Sequence, residues 1–117
     1  MIELPFPAKV LWPNGRTRSP RYKAAEARKH KDWAWAAAKA AGVGKTRPER
    51  PIAWSVTVYP KTRHKIDRDN ALASLKSYQD GIALAMGVDD SLFCTPMLHF
   101  GEPVKGGKII IVMDEAA

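Results

Sequence analysis

The strongest constraint on the fold is a change in the period of the apolar residues near the middle of the chain. Apolar residues from Ile52 to Val58 alternate with Ala, Ser, Thr and Tyr, and the run stops at Pro60. This two-residue period is typical of a half-buried strand. From Ala71 to Ala85 the apolar positions recur at helical spacing, which gives one buried stripe. The sequence therefore predicts a strand followed by a helix on a common core.

Turn and cap signals predict the other elements. Ser19 is followed by Pro20, which suits the N-cap and first position of a helix, and Gly42 ends that helix. Gly106-Gly107 predicts a hairpin between the last two strands. The predicted strands are 2–6, 52–59, 92–100 and 108–113, and the predicted helices are 20–41 and 69–86. The predicted fold class is α+β: a small sandwich over residues 1–117 as one domain, in the order β-α-β-α-β-β, with two helices packed on one mixed sheet.

Charge divides the chain into two unlike halves. The 117 residues carry 19 Lys and Arg against 12 Asp and Glu, a net charge of +7. Residues 1–65 hold 15 basic and 4 acidic side chains, whereas residues 66–117 hold 4 basic and 8 acidic ones. This asymmetry suggests a surface that binds a polyanion beside a cluster of carboxylates. For any single basic residue, a solvated surface position is the alternative interpretation.

Several classes of protein are excluded by the composition. No apolar run approaches the roughly 18–20 residues that cross a bilayer, and the first residues do not resemble a signal peptide. Cys94 is the single cysteine, so the chain has no internal disulfide, and we expect a buried thiol in a reducing cytoplasm. The three histidines are too scattered for zinc-ligand spacing. These features predict a cytoplasmic protein without a membrane partner.

Two pairs of carboxylates could bind a metal. Asp67 and Asp69 stand two residues apart where a basic loop becomes a helix, so both project to one side and can share a hard cation. Asp89-Asp90 follows the end of the same helix, about 27 Å away along a straight rod. The pairs meet only if the chain bends back after Gly81 or Gly87, or if a second subunit supplies one pair.

The same aspartates also have simpler interpretations. Asp69 is well placed to cap the helix, and Asp89-Asp90-Ser91 suits a turn or a cap. Asp67 could neutralise the arginines and lysines around it. These alternatives stay open from the residue pattern alone.

The acidic segments resemble the core of the RusA-type Holliday junction resolvases. The segments that carry this resemblance are Asp67-Arg68-Asp69-Asn70, a lysine in the following helix, Asp80-Gly81-Ile82 and Gly87-Val88-Asp89-Asp90-Ser91. Weaker similarity extends outward through Leu4-Pro5-Phe6-Pro7, Pro13-Asn14-Gly15-Arg16 and Pro103-Val104-Lys105-Gly106-Gly107 with the apolar run 109–112. The resemblance covers nearly the whole chain thinly and is most specific over residues 67–91.

This resemblance implies a crossover junction endodeoxyribonuclease. Members of the family hydrolyse phosphodiester bonds of four-way DNA during recombination and repair, with Mg²⁺ as the ion and Mn²⁺ as an alternative. The resemblance further implies a homodimer that acts on branched DNA without an organic cofactor, in a bacterial cell and commonly encoded by a phage or prophage.

The family pattern also assigns roles to individual residues. It makes Asp67, Asp69 and Asp90 the catalytic, metal-binding carboxylates and Lys76 the catalytic lysine. Some members carry that lysine about one turn earlier, where this chain has Ala73. A surface pair with Asp80, four residues on, is the alternative for Lys76.

Further residues are expected to support the site or to bind DNA. The supporting residues are Asn70 and Asp89. The expected phosphate contacts are Arg63, Lys65 and Arg68, which adjoin the acidic pair, and Arg16, which lies in the loop shared with the family.

Two other functions fit the same residues. One is a basic nucleic-acid-binding module without catalytic activity, in which the aspartates are helix caps. The other is a metal-dependent nuclease with a different substrate, such as RNA or flap DNA.

Overall fold

A computed structural model describes residues 1–13 and 19–113. These residues form an α+β fold with one four-stranded mixed sheet, which confirms the predicted fold class. The strands are β1 (Ile2–Leu4), β2 (Trp54–Tyr59), β3 (Met97–Phe100) and β4 (Lys108–Met113). The helices are α1 (Pro20–Ala40), α2 (Arg68–Ser74) and α3 (Lys76–Met86), with short 3₁₀ helices at Lys9–Leu11 and Asp90–Leu92.

The sheet has the strand order β1-β4-β2-β3. Strand β4 pairs antiparallel with both β1 and β2, whereas β2 and β3 are parallel. Parallel neighbours need a crossover, and α2 and α3 supply it between β2 and β3. Trp54, Val56 and Val58 are buried in the core, and the residues between them are half-buried. The alternation read from the sequence is therefore confirmed.

The predicted hairpin between the last two strands is wrong, because β2 lies between β3 and β4. After β3, the N–H of Gly101 donates to the Val58 carbonyl and the N–H of Val104 donates to the Pro60 carbonyl. The chain thus crosses the end of β2 before Gly106 and Gly107 turn it, at φ +78° and +69°, into β4. A pair of glycines indicates that the chain reverses direction. It does not determine which strand the following strand pairs with.

The ends of α1 agree with the cap signals. The Ser19 hydroxyl accepts a hydrogen bond from the N–H of Tyr22 at 3.2 Å, and Pro20 takes the first helical position. Gly42 follows the helix with φ +87°, a left-handed conformation that glycine adopts readily.

The second predicted helix is interrupted at Leu75. Residues 68–74 and 76–86 form two helices, and Leu75 between them is buried, with its N–H donating to the Leu72 carbonyl. Neither proline nor glycine marks this break in the sequence. The predicted apolar stripe is confirmed nevertheless, since all five of its members are buried: Ala71, Leu75, Tyr78, Ile82 and Ala85.

Helix α1 packs closely on α3 through small residues. A Cβ at Gly81 would stand 2.2 Å from the Lys31 carbonyl oxygen and 2.8 Å from the Ala34 Cβ. Beside this contact, buried His30 donates from Nδ1 to the Glu26 carbonyl at 2.7 Å and accepts at Nε2 from the N–H of Ala8 at 3.0 Å. The N-terminal turns of α1, residues 20–25, remain exposed.

Cys94 corrects another expectation, because its side chain is exposed rather than buried. The N–H of Cys94 donates a hydrogen bond to the Ile52 carbonyl. The Cys94 carbonyl accepts one from the Trp54 indole N–H at 2.6 Å. Phe93, one residue earlier, is the side chain that enters the core. Among the described residues, no helix combines the length and apolar character that crossing a membrane requires.

Candidate functional site

A reversal of the chain after α3 brings Asp90 back to the start of that helix. Gly87 adopts φ +70° and the N–H of Val88 donates to the Ala83 carbonyl, so the helix ends in a left-handed turn. The chain then runs back along α3, where the Gln79 side chain donates from Nε2 to the Asp90 carbonyl at 3.2 Å. Gly87 is one of the two bends that the sequence left open, and it returns Asp90 to Lys76. Among the described residues, no three carboxylates of the two pairs form one metal-binding group.

Lys76 lies between two carboxylates at the start of α3. Its Nζ donates to Asp80 Oδ1 at 2.8 Å and also to Asp90 Oδ2. The pairing raises the pKa of the Lys76 ammonium above its usual value, mainly through the hydrogen bond to Asp80 and then through that to Asp90. The expected surface pair with Asp80 is therefore present, but it is one half of a bridge that also includes Asp90.

The first acidic pair lies at the N-terminus of α2. Asp67 is the N-cap, and its Oδ1 accepts a hydrogen bond from the N–H of Asn70 at 3.1 Å. The residue pattern favoured Asp69 as the cap, so the structure moves this role two residues back. Asp69 lies in the first helical turn, exposed, and pairs with no other side chain among the residues described.

Asp89 has a local role in the returning segment. Its carboxylate accepts a hydrogen bond from the N–H of Ser91 at 2.8 Å and so caps the second 3₁₀ helix. This bond is the main cause that holds the pKa of Asp89 below its usual value. Asp89 thus caps the 3₁₀ helix in which Asp90 stands, and its role as a supporting residue of the site stays a prediction.

The donor set is suited to a hard cation, although no compact cage is formed. In residues 1–13 and 19–113, no three His, Cys, Asp or Glu side chains come together as a metal-binding group. Mg²⁺, however, usually keeps several waters and is held by one or two carboxylates together with substrate phosphates. Asp67 and Asp69 on one segment and Asp90 on another offer such oxygens. The magnesium site remains a prediction.

The predicted DNA contacts differ in their surroundings. Arg63 and Lys65 are exposed in the loop that leads to α2. Arg68 is also exposed, yet its guanidinium donates to the Leu98 carbonyl at 3.3 Å and lies 5.9 Å from the centroid of the Phe100 ring. Through these two contacts, Arg68 connects the start of α2 to β3. Arg16 lies outside the described residues.

Sequence reasoning missed one residue of the site, Gln79. It stands three residues after Lys76 on the same helix, so the two side chains are neighbours. Its bond to Asp90 depends on the reversal at Gly87, and the helical pattern carries no signal of that long-range contact.

Comparison with known proteins gives one family relationship. A protein of Xylella fastidiosa strain Temecula1, named "Uncharacterized protein", is 36% identical over 114 residues. The alignment covers 96% of this chain and 74% of the Xylella protein. The chain belongs to the family of that protein.

The comparison leaves the activity open. No protein-family model matches the chain. Since the name of the Xylella protein states no activity, the resemblance to RusA-type resolvases stays a prediction.

Proposed function

We propose that this protein is a magnesium-dependent endonuclease that cuts branched DNA, with four-way junctions as its preferred substrate. The observation that carries the proposal is the contact between Lys76 and Asp90, which are 14 residues apart in sequence. The resemblance to RusA-type resolvases requires a catalytic lysine and a metal-binding aspartate in one site. The reversal at Gly87 brings Lys76 and Asp90 into contact within a single chain, and this contact supports the proposal.

The residue types suit phosphodiester hydrolysis. The phosphodiester is anionic, so an attacking water is repelled unless the charge is neutralised. Mg²⁺, when bound, supplies that neutralisation and lowers the pKa of a bound water. The chain contributes Asp67, Asp69 and Asp90 as oxygen ligands. It also contributes the Lys76 ammonium, which can stabilise the additional negative charge of the transition state.

The basic half of the chain supports binding of the DNA backbone. Exposed basic side chains occupy both α1 and the loop before α2: Arg21, Lys23, Arg28, Lys29, Lys61, Arg63 and Lys65. Such residues bind phosphates without reading bases, and each contact releases counterions. Affinity for DNA should therefore fall steeply as the salt concentration rises.

The proposal includes a homodimer and a cellular setting. Symmetric cutting of a four-way junction needs two active sites related by a two-fold axis, which a homodimer provides. A DNA substrate places the protein in the bacterial cytoplasm, and the family resemblance suggests a phage or prophage origin.

A binding module without catalytic activity is the second candidate. Specific observations favour it: Asp67 and Asp89 both act as caps, and Lys76 forms the ordinary helical pair with Asp80. In that case the acidic residues would serve folding alone.

A cleavage assay with labelled DNA separates these functions. We expect the protein to nick a four-way junction with Mg²⁺ but not with a chelator, and to act more slowly on linear duplex, flap DNA and RNA. Asp67→Asn and Asp90→Asn should each lower the rate at least about 100-fold. Asp32→Asn, an exposed aspartate of α1, is the matched control and should cut normally.

Two results would overturn this assignment. Binding of the junction without nicking at any divalent cation would favour the binding module. Faster cutting of RNA or flap DNA than of the junction would favour a nuclease with a different substrate.

A further inference from the structure

The Lys76 ammonium is held by carboxylates from two different elements. Asp80 lies one turn further along α3, whereas Asp90 belongs to the 3₁₀ helix that follows the reversal at Gly87. All three side chains are partly exposed, at 57% for Lys76, 35% for Asp80 and 39% for Asp90. The bridge is therefore accessible to ions from solvent.

The segment that carries Asp90 has two hydrogen bonds besides this bridge. Gln79 holds the Asp90 carbonyl, and Asp89 caps the 3₁₀ helix in which Asp90 stands. The Asp90 carboxylate can consequently exchange its partner without a change in the backbone. Only side chains need to move.

Charge determines what happens when a cation arrives. Two carboxylates face one ammonium, so the bridge carries a net negative charge that attracts a divalent cation. A cation bound to Asp90 repels the nearby ammonium of Lys76. A lysine side chain is long and flexible, and without a second partner it would turn toward solvent.

We propose that Asp80 is a positioning residue, which keeps the Lys76 ammonium at the site when a divalent cation takes the Asp90 carboxylate. The inference rests on the proposed function, because it assumes that Asp90 is a metal ligand. Asp80 belongs to the Asp80-Gly81-Ile82 segment of the sequence. The proposal gives its carboxylate the role of holding the Lys76 ammonium.

Zero-length cross-linking tests the exchange without any measurement of activity. A carbodiimide joins an amine and a carboxylate that are in contact, and mass spectrometry of the digested full-length protein counts each link. Without metal we expect Lys76–Asp80 and Lys76–Asp90 links. With Mg²⁺ the Lys76–Asp90 link should fall severalfold while the Lys76–Asp80 link persists or increases.

The ion pair between Lys29 and Glu26, at 3.6 Å on α1, is the internal control and should not respond to Mg²⁺. Loss of both Lys76 links with Mg²⁺ would overturn the role of Asp80 while leaving the metal at Asp90. No change in either link would remove Asp90 from the metal ligands, and the inference would fail together with that part of the proposed function.

Kinetics provide a second test. Asp80→Asn keeps the shape but removes the charge, so we expect kcat for the junction to fall about 10-fold with KM nearly unchanged, since Lys76 is misplaced in the reacting complex. Asp80→Glu retains the charge and should recover most of the rate. An unchanged kcat in Asp80→Asn, or a loss that Asp80→Glu does not relieve, would overturn the inference.

Discussion

Helix α3 presents two faces that are built on different principles. Gly81 faces α1, where an added methyl group would collide with the Lys31 carbonyl. Lys76, about 140° away around the helix, is exposed and held by the charges of Asp80 and Asp90. Side-chain volume limits which residues fit on the first face, whereas ion pairs hold the side chain on the second. Substitutions on the first face should therefore change the free energy of unfolding, and substitutions on the second should change activity.

The largest effect on stability is expected for Ile82→Ala. Ile82 is 0% exposed, and its truncation leaves a cavity, so the free energy of unfolding should fall by about 2–5 kcal/mol. Leu84→Ala on the same helix, at 55% exposure, is the matched control and should lower it by less than about 0.5 kcal/mol. Denaturant titration of both variants gives the two values. Equal losses would contradict the orientation of α3.

Gly81→Ala should have the next largest effect. The added Cβ forces α1 and α3 apart, which should cost about 1–3 kcal/mol despite the better helix propensity of alanine. Gly44→Ala provides the comparison, because an added Cβ at Gly44 meets nothing within 4 Å. Thermal unfolding should separate the two variants. A neutral Gly81→Ala would show that the two helices are not in close contact.

The free energy of unfolding should depend on pH through the buried His30. Burial is the main cause that lowers the pKa of His30 below its usual 6.5. As the pH falls below about 6.5, the unfolded chain therefore takes up a proton that the folded chain resists. The free energy of unfolding should fall by at most about 1.4 kcal/mol per pH unit, until the pH reaches the folded-state pKa.

His30→Gln should remove that share of the pH dependence of stability. Urea titrations of the wild type and the variant between pH 5 and 8 measure the two slopes. Identical slopes in both proteins would show that His30 is not the group that titrates.

The smallest effect on stability is expected on the charged face. Lys76→Gln removes both ion pairs, yet exposed pairs contribute only about 0–1 kcal/mol, so the free energy of unfolding should change by no more than that. Junction cleavage by the same variant should fall far more than its stability. A loss of several kcal/mol would show that the bridge serves folding instead.

The buried stripe of α2 and α3 could be predicted from the sequence, whereas the contact of Gly81 with α1 could not. The period of the apolar residues predicts the stripe on α2 and α3, and local chemistry predicts the cap at Ser19 and the stop at Gly42. These signals are local, because each depends on residues within one or two turns. The break at Leu75 could not be read, since it replaces one helical hydrogen-bonding pattern by another without a marker residue.

Long-range pairing was beyond the sequence in both the sheet and the site. Strand β4 was located correctly, but its place between β1 and β2 depends on partners far along the chain. Similarly, the sequence predicts roles for Asp90 and Lys76 separately, and their contact depends on the path after Gly87 and on the bond from Gln79. The local period of apolar residues predicts where helices and strands lie. It does not predict which of them are in contact.

The proposed function requires that the carboxylates at the start of α2 serve chemistry rather than folding. Asp69→Asn tests it most directly, because Asp69 is exposed, whereas Asp67 also caps the helix. We expect this variant to bind a four-way junction with wild-type affinity and to have a free energy of unfolding without metal within about 1 kcal/mol of the wild type. Its Mg²⁺-dependent cleavage should be reduced at least about 100-fold. Retained metal-dependent cleavage by Asp69→Asn would contradict it.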